Sequence, residues 1–204
     1  MKTKTLYKYR PLDNWKFILD ILINNRLHAS PFHSLNDPME GRYFYYDRSV
    51  SEGFRRAIYE GKVQYNICSL SLTKQNTLLW SYYAGGHKGV AFGVRVLQKR
   101  NLRSETRNVT YDNGVYVGGG VKRRDPTEVA LEILTQKQMA WDHEKEVRVF
   151  VEGSFVSVEL VEMVLGCKIE PGDEELLKRI ALQLHPNLRI KKMKTSDLDK
   201  PEAI

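Results

Sequence analysis

The stretch HEKEVRVFVEG, residues 143–153, indicates an extended strand with two acidic residues at its start. Valines alternate with Arg148 and Phe150, which is the two-residue period of a strand. Glu144 and Glu146 are two positions apart, so a strand would place both carboxylates on one face. Like charges this close repel, and shielding from water would raise at least one pKa. Either this face is solvated or the two acids have a function.

Composition favours one globular domain. The chain has 204 residues, 42% of them apolar, which is enough for a real core. We expect a single domain over residues 1–193 and a flexible C-terminal tail over residues 194–204. No stretch approaches the roughly 18 apolar residues of a membrane span, and the N-terminus lacks the apolar core of a secretion signal. The sequence therefore predicts a cytoplasmic protein with no membrane partner.

The chain is basic, with a formal net charge of +7 and a pI near 9.3. Its basic residues cluster near residues 99–107 and 122–124. This balance favours a polyanionic partner such as nucleic acid. Scattered surface lysines that keep the chain in solution explain the charge equally well, because no RNA- or DNA-binding motif is present.

Strand signals outnumber helix signals along the chain. The predicted strands cover residues 5–10, 63–72, 89–97, 144–151, 158–166 and 187–194, with a hairpin at 108–120 turning at 113–114. The predicted helices cover residues 13–25, 50–60, 76–86, 126–141 and 171–185. Gly89 and Gly93 imply a tight turn or a close backbone approach. The order predicts an α+β fold, with a mixed, largely antiparallel sheet or sheets and flanking helices.

Several common kinds of site find no match in the sequence. The five histidines show neither HExxH nor a paired spacing, so no metal site is predicted. Ser69 and Ser71 lie within a predicted strand and not in the GxSxG turn of a hydrolase. The glycine-rich segments do not have the spacing of a phosphate-binding loop.

Three predicted strands each carry two polar residues at positions i and i+2. The two residues of each pair would lie on the same face of their strand. If the three strands lined one cleft, cations, hydroxyls and carboxylates would converge there, which suits an anionic, sugar-bearing ligand. A solvated sheet face explains any single pair at least as well. The pairs are Lys8 with Arg10, Ser69 with Ser71, and Glu144 with Glu146.

These motifs resemble those of two groups of proteins. A basic residue on the first strand, Ser-x-Ser on a middle strand and Glu-x-Glu on a later strand are similar to the Arg/Ser/Glu arrangement of ADP-ribosyltransferases. The chain also closely resembles a bacterial and phage domain-of-unknown-function family with the pattern LYKYR…NDPxE…WxxYA…ExExR. This second resemblance covers most of the chain and is carried by residues 6–10, 36–40, 80–84 and 144–148.

The transferase resemblance implies an ADP-ribosyltransferase-like fold and an enzyme that uses NAD. Bound NAD would lose nicotinamide through an oxocarbenium-like ribose. Glu146 would engage the ribose and stabilise the cation, and Glu144 would act as a general base toward the acceptor. Lys8 or Arg10 would hold the nicotinamide-side ribose and phosphates, and the resemblance leaves open which. The implied cofactor-binding residues are Tyr9, Ser69, Ser71, Trp80 and Tyr83.

Two of the motifs have alternative explanations. Core packing explains Trp80 at least as well as a role in walling a nicotinamide ring. Asn36, Asp37 and Pro38 form a tight-turn sequence without a catalytic role, and we expect Glu40 to bind a backbone group or Arg148.

Three functions follow, in order of preference. The first is an NAD-dependent ADP-ribosyltransferase, a toxin or phage-defence effector that modifies nucleic acid or protein and has an antitoxin as a candidate partner. The second is a non-catalytic nucleic-acid-binding module that uses the basic clusters near residues 99–107 and 122–124. The third is a nuclease, for which one Glu-x-Glu motif offers few Mg²⁺ ligands.

Overall fold

The elements of the chain build one extended sheet with helices on both faces. A computed structural model describes residues 4–45, 50–98, 104–112, 116–117 and 124–199. In chain order the strands are β1 (Leu6–Arg10), β2 (Arg26–His28), β3 (Ser30–Pro31), β4 (Phe44–Tyr45), β5 (Asn66–Ser71), β6 (Val90–Val96), β7 (Ser104–Asn108), β8 (Thr110–Tyr111), β9 (Tyr116–Val117), β10 (Gln136–Lys137), β11 (Glu146–Val151), β12 (Phe155–Leu165) and β13 (Arg189–Lys192). The helices are α1 (Trp15–Asn24), α2 (Glu52–Val63), α3 (Thr77–Tyr83), α4 (Pro126–Ile133) and α5 (Pro171–Leu184), with 3-10 turns at Phe32–Ser34, Met139–Glu144 and Thr195–Asp197.

The main sheet has the strand order β13-β12-β6-β1-β5-β11-β7, while β2 pairs with β12 and β3 pairs with β5. The pairing of β12 with β13 is parallel, and the other pairings in this sheet are antiparallel. Two short parallel pairs, β4 with β9 and β8 with β10, lie outside it. The predicted α+β class with a mixed, largely antiparallel sheet is confirmed.

Side chains alternate across the sheet, so each face forms its own core. Helices α1 and α5 cover one face, where Ile18 and Leu177 pack with Leu70 and Phe92 of the strands. Helix α3 covers part of the opposite face through Leu79 and Trp80, and α4 covers another part. The sheet is therefore the middle of three layers, and its faces are closed to solvent wherever a helix lies over them.

The segment predicted as one helix over residues 126–141 contains a shorter helix. Helix α4 ends at Ile133, and the Thr135 hydroxyl, with its one hydrogen, lies 3.0 and 2.9 Å from the carbonyl oxygens of Leu131 and Glu132 in the last turn. This capping satisfies carbonyl groups that have no partner within the helix. The chain then turns through β10 into the 3-10 helix Met139–Glu144, which brings Lys137 into the protein interior.

The predicted C-terminal tail is partly described. From residue 194 the chain forms the turn Thr195–Asp197, and the Asp199 carboxylate accepts hydrogen bonds from the amide and hydroxyl groups of Thr77 at 2.9 and 2.5 Å. Residues 200–204, and the turn predicted at residues 113–114, lie outside the described residues. No helix within the described ranges is both long and apolar enough to cross a membrane.

Two glycines permit the close backbone contacts at one end of β6 and β12. The amide of Gly166 donates a hydrogen bond of 2.9 Å to the Gly89 carbonyl. A Cβ atom on Gly166 would lie 2.0 Å from the carbonyl oxygen of His87, and one on Gly89 would lie 2.3 Å from that of Arg10. The predicted close backbone approach at Gly89 is therefore confirmed.

We expect Gly166→Ala to lower the free energy of unfolding by about 3 kcal/mol, because the added methyl group meets backbone that cannot move aside. Urea unfolding followed by circular dichroism measures the change. The matched control is Gly172→Ala at the start of α5, where no atom lies within 4 Å of the added Cβ and alanine favours the helix. Equal stability of the two variants would contradict this account of the packing.

Candidate functional site

The site lies where two neighbouring strands of the sheet separate. Strands β1 and β5, both fully described, share the single register pair Tyr7 and Ser71. By contrast, β1 pairs with β6 along its whole length, and β5 pairs with β11 along its whole length. Beyond the shared pair the two strands diverge, and a cleft opens between them in the middle of the sheet.

This cleft encloses about 400 Å³, a volume within the usual range for ligand sites. Both diverging strands line it, together with α1, α3 and the loop that carries Asn36 and Glu40. Because the strands separate, side chains from both faces of the sheet reach the same space. The predicted residues that line it are Lys8, Tyr9, Arg10, Ser69, Ser71, Tyr83, Glu144 and Glu146.

Two cations from β1 line the cleft. The Lys8 ammonium donates a hydrogen bond of 2.8 Å to the carbonyl oxygen of Ser69, so it bridges the gap between the strands. Burial and the neighbouring Arg10 guanidinium lower the pKa of Lys8 to about 8. The Arg10 guanidinium lies 5.1 Å from the ring centre of Phe17, and the Phe17 and His28 rings are 5.8 Å apart. Lys8 and Arg10 therefore both contribute to the cleft.

The two acids reach the cleft by a different route from the predicted one. Glu144 is the last residue of the 3-10 helix, and β11 begins only at Glu146. Lys145 between them has a positive φ of 43°, so the segment turns where an extended strand was expected. The carboxylates still converge, because the Lys137 ammonium lies 2.6 Å from Glu144 Oε2 and 3.4 Å from Glu146 Oε2.

Glu146 and Glu40 share one buried guanidinium. Arg148 is 0% exposed, and its Nε and Nη2 atoms lie 2.9 and 3.1 Å from the two carboxylate oxygens of Glu146. Its Nη2 atom also lies 2.5 Å from Glu40 Oε2, while Nη1 donates to the carbonyl oxygen of Leu134. The expectation that Glu40 binds a backbone group or Arg148 is thus confirmed for Arg148. The motif at residues 36–40 therefore contributes to the cleft, which Asn36 and Glu40 line.

The pKa of Glu146 moves in the opposite direction to the one expected from like-charge repulsion. Burial opposes ionisation, but the Arg148 guanidinium and the Lys137 ammonium outweigh it and lower the pKa of Glu146 to about 2. Burial raises the pKa of Glu40, although Arg148 opposes that rise. Glu146 is therefore an anion throughout the physiological pH range.

The serines and Tyr83 orient the acids. The Ser69 hydroxyl donates a hydrogen bond to the Glu146 carboxylate, and the Ser71 hydroxyl donates to the Glu144 carbonyl at 2.7 Å. The Tyr83 hydroxyl donates to Glu144 Oε1 at 2.6 Å. Burial and this bond raise the pKa of Tyr83. Both oxygens of Glu144 thus have donors, Tyr83 on one and Lys137 on the other.

Two of the residues implied to bind cofactor belong chiefly to the core. Trp80 is 0% exposed, donates its indole hydrogen to the Lys74 carbonyl at 2.7 Å and does not line the cleft. The Tyr9 ring meets Trp80 edge-on at 5.2 Å, and its hydroxyl donates to the Thr73 carbonyl. Trp80 therefore belongs to the packing beneath α3, because its position in the helix turns it toward the sheet.

Sequence reasoning missed Lys137 as a site residue. It lies seven residues before Glu144, in a segment predicted to be helical, and nothing in its sequence context distinguishes it from a surface lysine. Its ammonium also lies 3.6 Å from Glu40 Oε1 and 4.7 Å from the ring centre of Trp141. One signal could have indicated it: Glu40, Glu144 and Glu146 all belong to motifs, and three carboxylates that meet in one site need a cation beside them.

The basic clusters near residues 99–107 and 122–124 are described only in part, because residues 99–103 and 122–123 lie outside the described ranges. Of the described members, Arg107 forms ion pairs with Glu105 and Glu128. Arg124 pairs with Glu132. These two arginines therefore have protein carboxylates as partners.

Replacing the central cation tests the network. Arg148→Met leaves the Glu146 and Glu40 carboxylates buried without their guanidinium, and we expect the free energy of unfolding to fall by about 4 kcal/mol. Urea unfolding measures it. The control is Arg56→Met on α2, whose side chain is 82% exposed and pairs only with Glu60 among the described residues.

The double variant Arg148→Met/Glu146→Gln should lose less free energy of unfolding than the sum of the losses in the two single variants. Additive losses would contradict the interaction between Arg148 and Glu146.

The described lining of the cleft thus combines the cations of β1, the aromatic ring of Tyr83 and a set of acids held by Lys137 and Arg148. No group of three or more His, Cys, Asp or Glu side chains in the described part of the chain has the arrangement of a metal site.

Searches against protein-family models, curated proteins and solved structures find no significant match to this chain.

Proposed function

We propose that the protein is an NAD-consuming, ADP-ribosyltransferase-like enzyme whose reaction takes place in the cleft between β1 and β5. The observation that carries the proposal is the convergence of three motifs that are far apart in sequence. Lys8 and Arg10, Ser69 and Ser71, and Glu144 and Glu146 line one cavity of about 400 Å³. The resemblance to the Arg/Ser/Glu arrangement requires this convergence, and separate solvated faces would not produce it.

The cationic residues suit the phosphate-bearing part of a dinucleotide. Lys8 supplies a point charge and Arg10 supplies a planar fork of donors, which together can bind a diphosphate. The Phe17 ring beside the Arg10 guanidinium adds an apolar surface. Both cations lie within the cleft, so their attraction to an anionic ligand is weakened less by solvent than on the open surface.

The acids suit the reacting ribose. Glu146 stays ionised, so it can accept a hydrogen bond from a ribose hydroxyl and stabilise positive charge that develops on the sugar. In the proposed step the bond between the ribose carbon and the nicotinamide nitrogen breaks, and nicotinamide leaves with the electron pair. The acceptor's nucleophile then bonds to that carbon and gives its proton to Glu144.

The acceptor would approach past an aromatic row beside Glu144. Tyr82 lines the cleft, is 62% exposed, and has its ring 6.4 Å from that of His143. The His143 ring is in turn 6.1 Å from that of Trp141. Glu144 directly follows His143 in the chain, so the row lies next to the segment that carries the proposed base.

The proposal is tested with NAD labelled on its adenylate part and with mixed protein and RNA acceptors. We expect nicotinamide release and label transfer by the wild type, and a loss of about 100-fold or more in Glu146→Gln, because the charge that stabilises the ribose cation is removed. Glu144→Gln should reduce label transfer by a similar factor, and nicotinamide release by less, because it acts on the acceptor.

The control is Glu159→Gln on β12, whose side chain is 53% exposed and lies outside the cleft. Near-ultraviolet circular dichroism reports whether Glu146→Gln keeps its fold after Arg148 loses one of its two carboxylate partners. If that variant unfolds, Glu144→Gln and Tyr83→Phe carry the test. A wild type that neither binds NAD nor releases nicotinamide with any acceptor would refute the proposal.

The lowered pKa of Lys8 predicts a pH dependence. Below pH 8 the ammonium is charged and attracts phosphate, and above pH 8 it is neutral. Affinity for ADP-ribose, measured by calorimetry, should therefore fall about tenfold between pH 7 and pH 9. Lys8→Arg keeps its charge over this range and should show a flat profile. A wild-type affinity that does not change with pH would show that Lys8 does not contact the phosphates.

A further inference from the structure

The cleft has a second end, away from the two acids. The gap between β1 and β5 opens from the register pair Tyr7 and Ser71, and Ser71 also faces Glu146 of β11. Four residues back along β5, about 13 Å away, Ile67 pairs with Ser30 of β3. We call this part of the cleft the far end, and the side chains that line it are Arg10, Phe17, His28 and Ser30.

The charge of Arg10 is not compensated within the described part of the chain. No described carboxylate pairs with its guanidinium, and its Nε atom is shielded from solvent without a hydrogen-bond partner. The Phe17 ring centre lies 5.1 Å away, and burial lowers the pKa of Arg10. Arg148, by contrast, has two carboxylates. Because a cation held away from water without an anion costs free energy, Arg10 favours an anionic ligand.

His28 and Ser30 together keep one hydrogen available to a ligand. Ser30 Oγ and His28 Nδ1 are 3.3 Å apart and share a hydrogen bond. Burial and the charges of Arg10 and Lys8 lower the pKa of His28, so its ring is neutral near pH 7. A neutral imidazole and a hydroxyl have two polar hydrogens, and one lies in the shared bond. In either tautomer the other hydrogen, on His28 Nε2 or on Ser30 Oγ, is a donor for the cleft.

The His28 ring is held in place by two phenyl rings. Its centre lies 5.8 Å from that of Phe17 on α1 and 5.7 Å from that of Phe155 on β12. The backbone of His28 pairs with that of Phe155, and the backbone of Ser30 pairs with that of Ile67. These contacts fix the donor pair before a ligand arrives, so little binding energy is spent on ordering it.

The carboxylates near the cleft are already bound. The three glutamates that line it contact Lys137 or Arg148. The Asp20 carboxylate, whose charge acts on His28, is bound by Arg26 at 2.9 Å and does not line the cleft. The described far end therefore offers a ligand one positive charge and hydrogen-bond donors, without an acid that would repel an anion.

We propose that the far end binds a phosphate monoester on the adenosine ribose of the dinucleotide, so that the cleft prefers a substrate with this additional phosphate, such as NADP, over NAD. The inference rests on the proposed function, which places the reacting ribose at Glu146 and the diphosphate at Lys8 and Arg10. An extended dinucleotide then has its adenosine half at the far end.

The chemistry of a monoester matches these side chains. It carries up to two negative charges and three terminal oxygens, which accept hydrogen bonds from a guanidinium and from the free hydrogen of His28 and Ser30. A guanidinium has five donor hydrogens, so Arg10 can bind the diphosphate and the monoester together. The hydroxyl of an unphosphorylated ribose carries no charge and cannot compensate Arg10.

Calorimetry on the full chain with three nucleotides tests the proposal: 5′-AMP, adenosine 2′,5′-bisphosphate and adenosine 3′,5′-bisphosphate. We expect one bisphosphate to bind at least about tenfold more tightly than AMP, because its additional phosphate accepts charge-assisted hydrogen bonds. The isomer that binds more tightly identifies the ribose position. The same advantage should separate NADP from NAD.

Two variants remove the proposed contacts. Arg10→Gln should bring the ratio of the AMP and bisphosphate dissociation constants close to one, because the cation is lost. His28→Phe/Ser30→Ala removes the donor pair and should reduce the ratio several-fold, and it carries the test if circular dichroism shows that Arg10→Gln does not fold. The matched control is Lys16→Gln, which removes an exposed charge next to Phe17 on α1 and outside the cleft lining. It should keep the wild-type ratio.

Equal affinity of the wild type for AMP and both bisphosphates would overturn the proposal. So would an advantage of the bisphosphate that persists in both variants. Binding of ADP-ribose without any gain from the additional phosphate would refute the far-end site and leave the proposed function standing. Tighter binding of a bisphosphate without release of nicotinamide from NADP or NAD would support the far-end site and contradict the proposed reaction.

Discussion

A fully buried guanidinium, that of Arg148, organises the region around the cleft. A cation removed from water must be compensated by nearby anions and acceptors, and here Glu146, Glu40 and the Leu134 carbonyl all converge on it. Those partners come from β11, from the loop before β4 and from the end of α4. The need to compensate this one charge thus brings together three separate segments of the chain. The Lys137 ammonium adds to the arrangement, because it lies within 4 Å of the carboxylates of Glu40, Glu144 and Glu146.

The second determinant is the separation of β1 from β5. A continuous sheet directs alternate side chains to opposite faces, so Lys8 and Glu146 would otherwise have no common space. Because the ladder between these strands consists of the pair Tyr7 and Ser71, a gap opens that both sides can reach. The Lys8 ammonium partly fills it by donating to the Ser69 carbonyl. The cleft is therefore a consequence of strand pairing, and charged side chains of both signs line it.

The described cations of this basic chain have different environments. Arg148 and Lys137 are buried with carboxylates, while Arg107 and Arg124 are paired at the surface. Lys8 lines a cleft, where burial lowers its pKa to about 8. Net charge alone does not separate these environments, because each lysine or arginine counts equally in it.

The sequence by itself determined the α+β class, the helix at α1 and the close backbone approach at Gly89, because hydrophobic period and glycine chemistry are local properties. It also identified the acids and serines of the candidate site. Only the tertiary structure decided that Lys137 joins them, that Glu144 ends a 3-10 helix and that Trp80 lies in the core. Spacing along one element reports which face a side chain takes. Which residue contacts that face depends on how distant segments pack. Here the buried Arg148 guanidinium requires carboxylate partners, and this requirement brings Glu40 and Glu146 together.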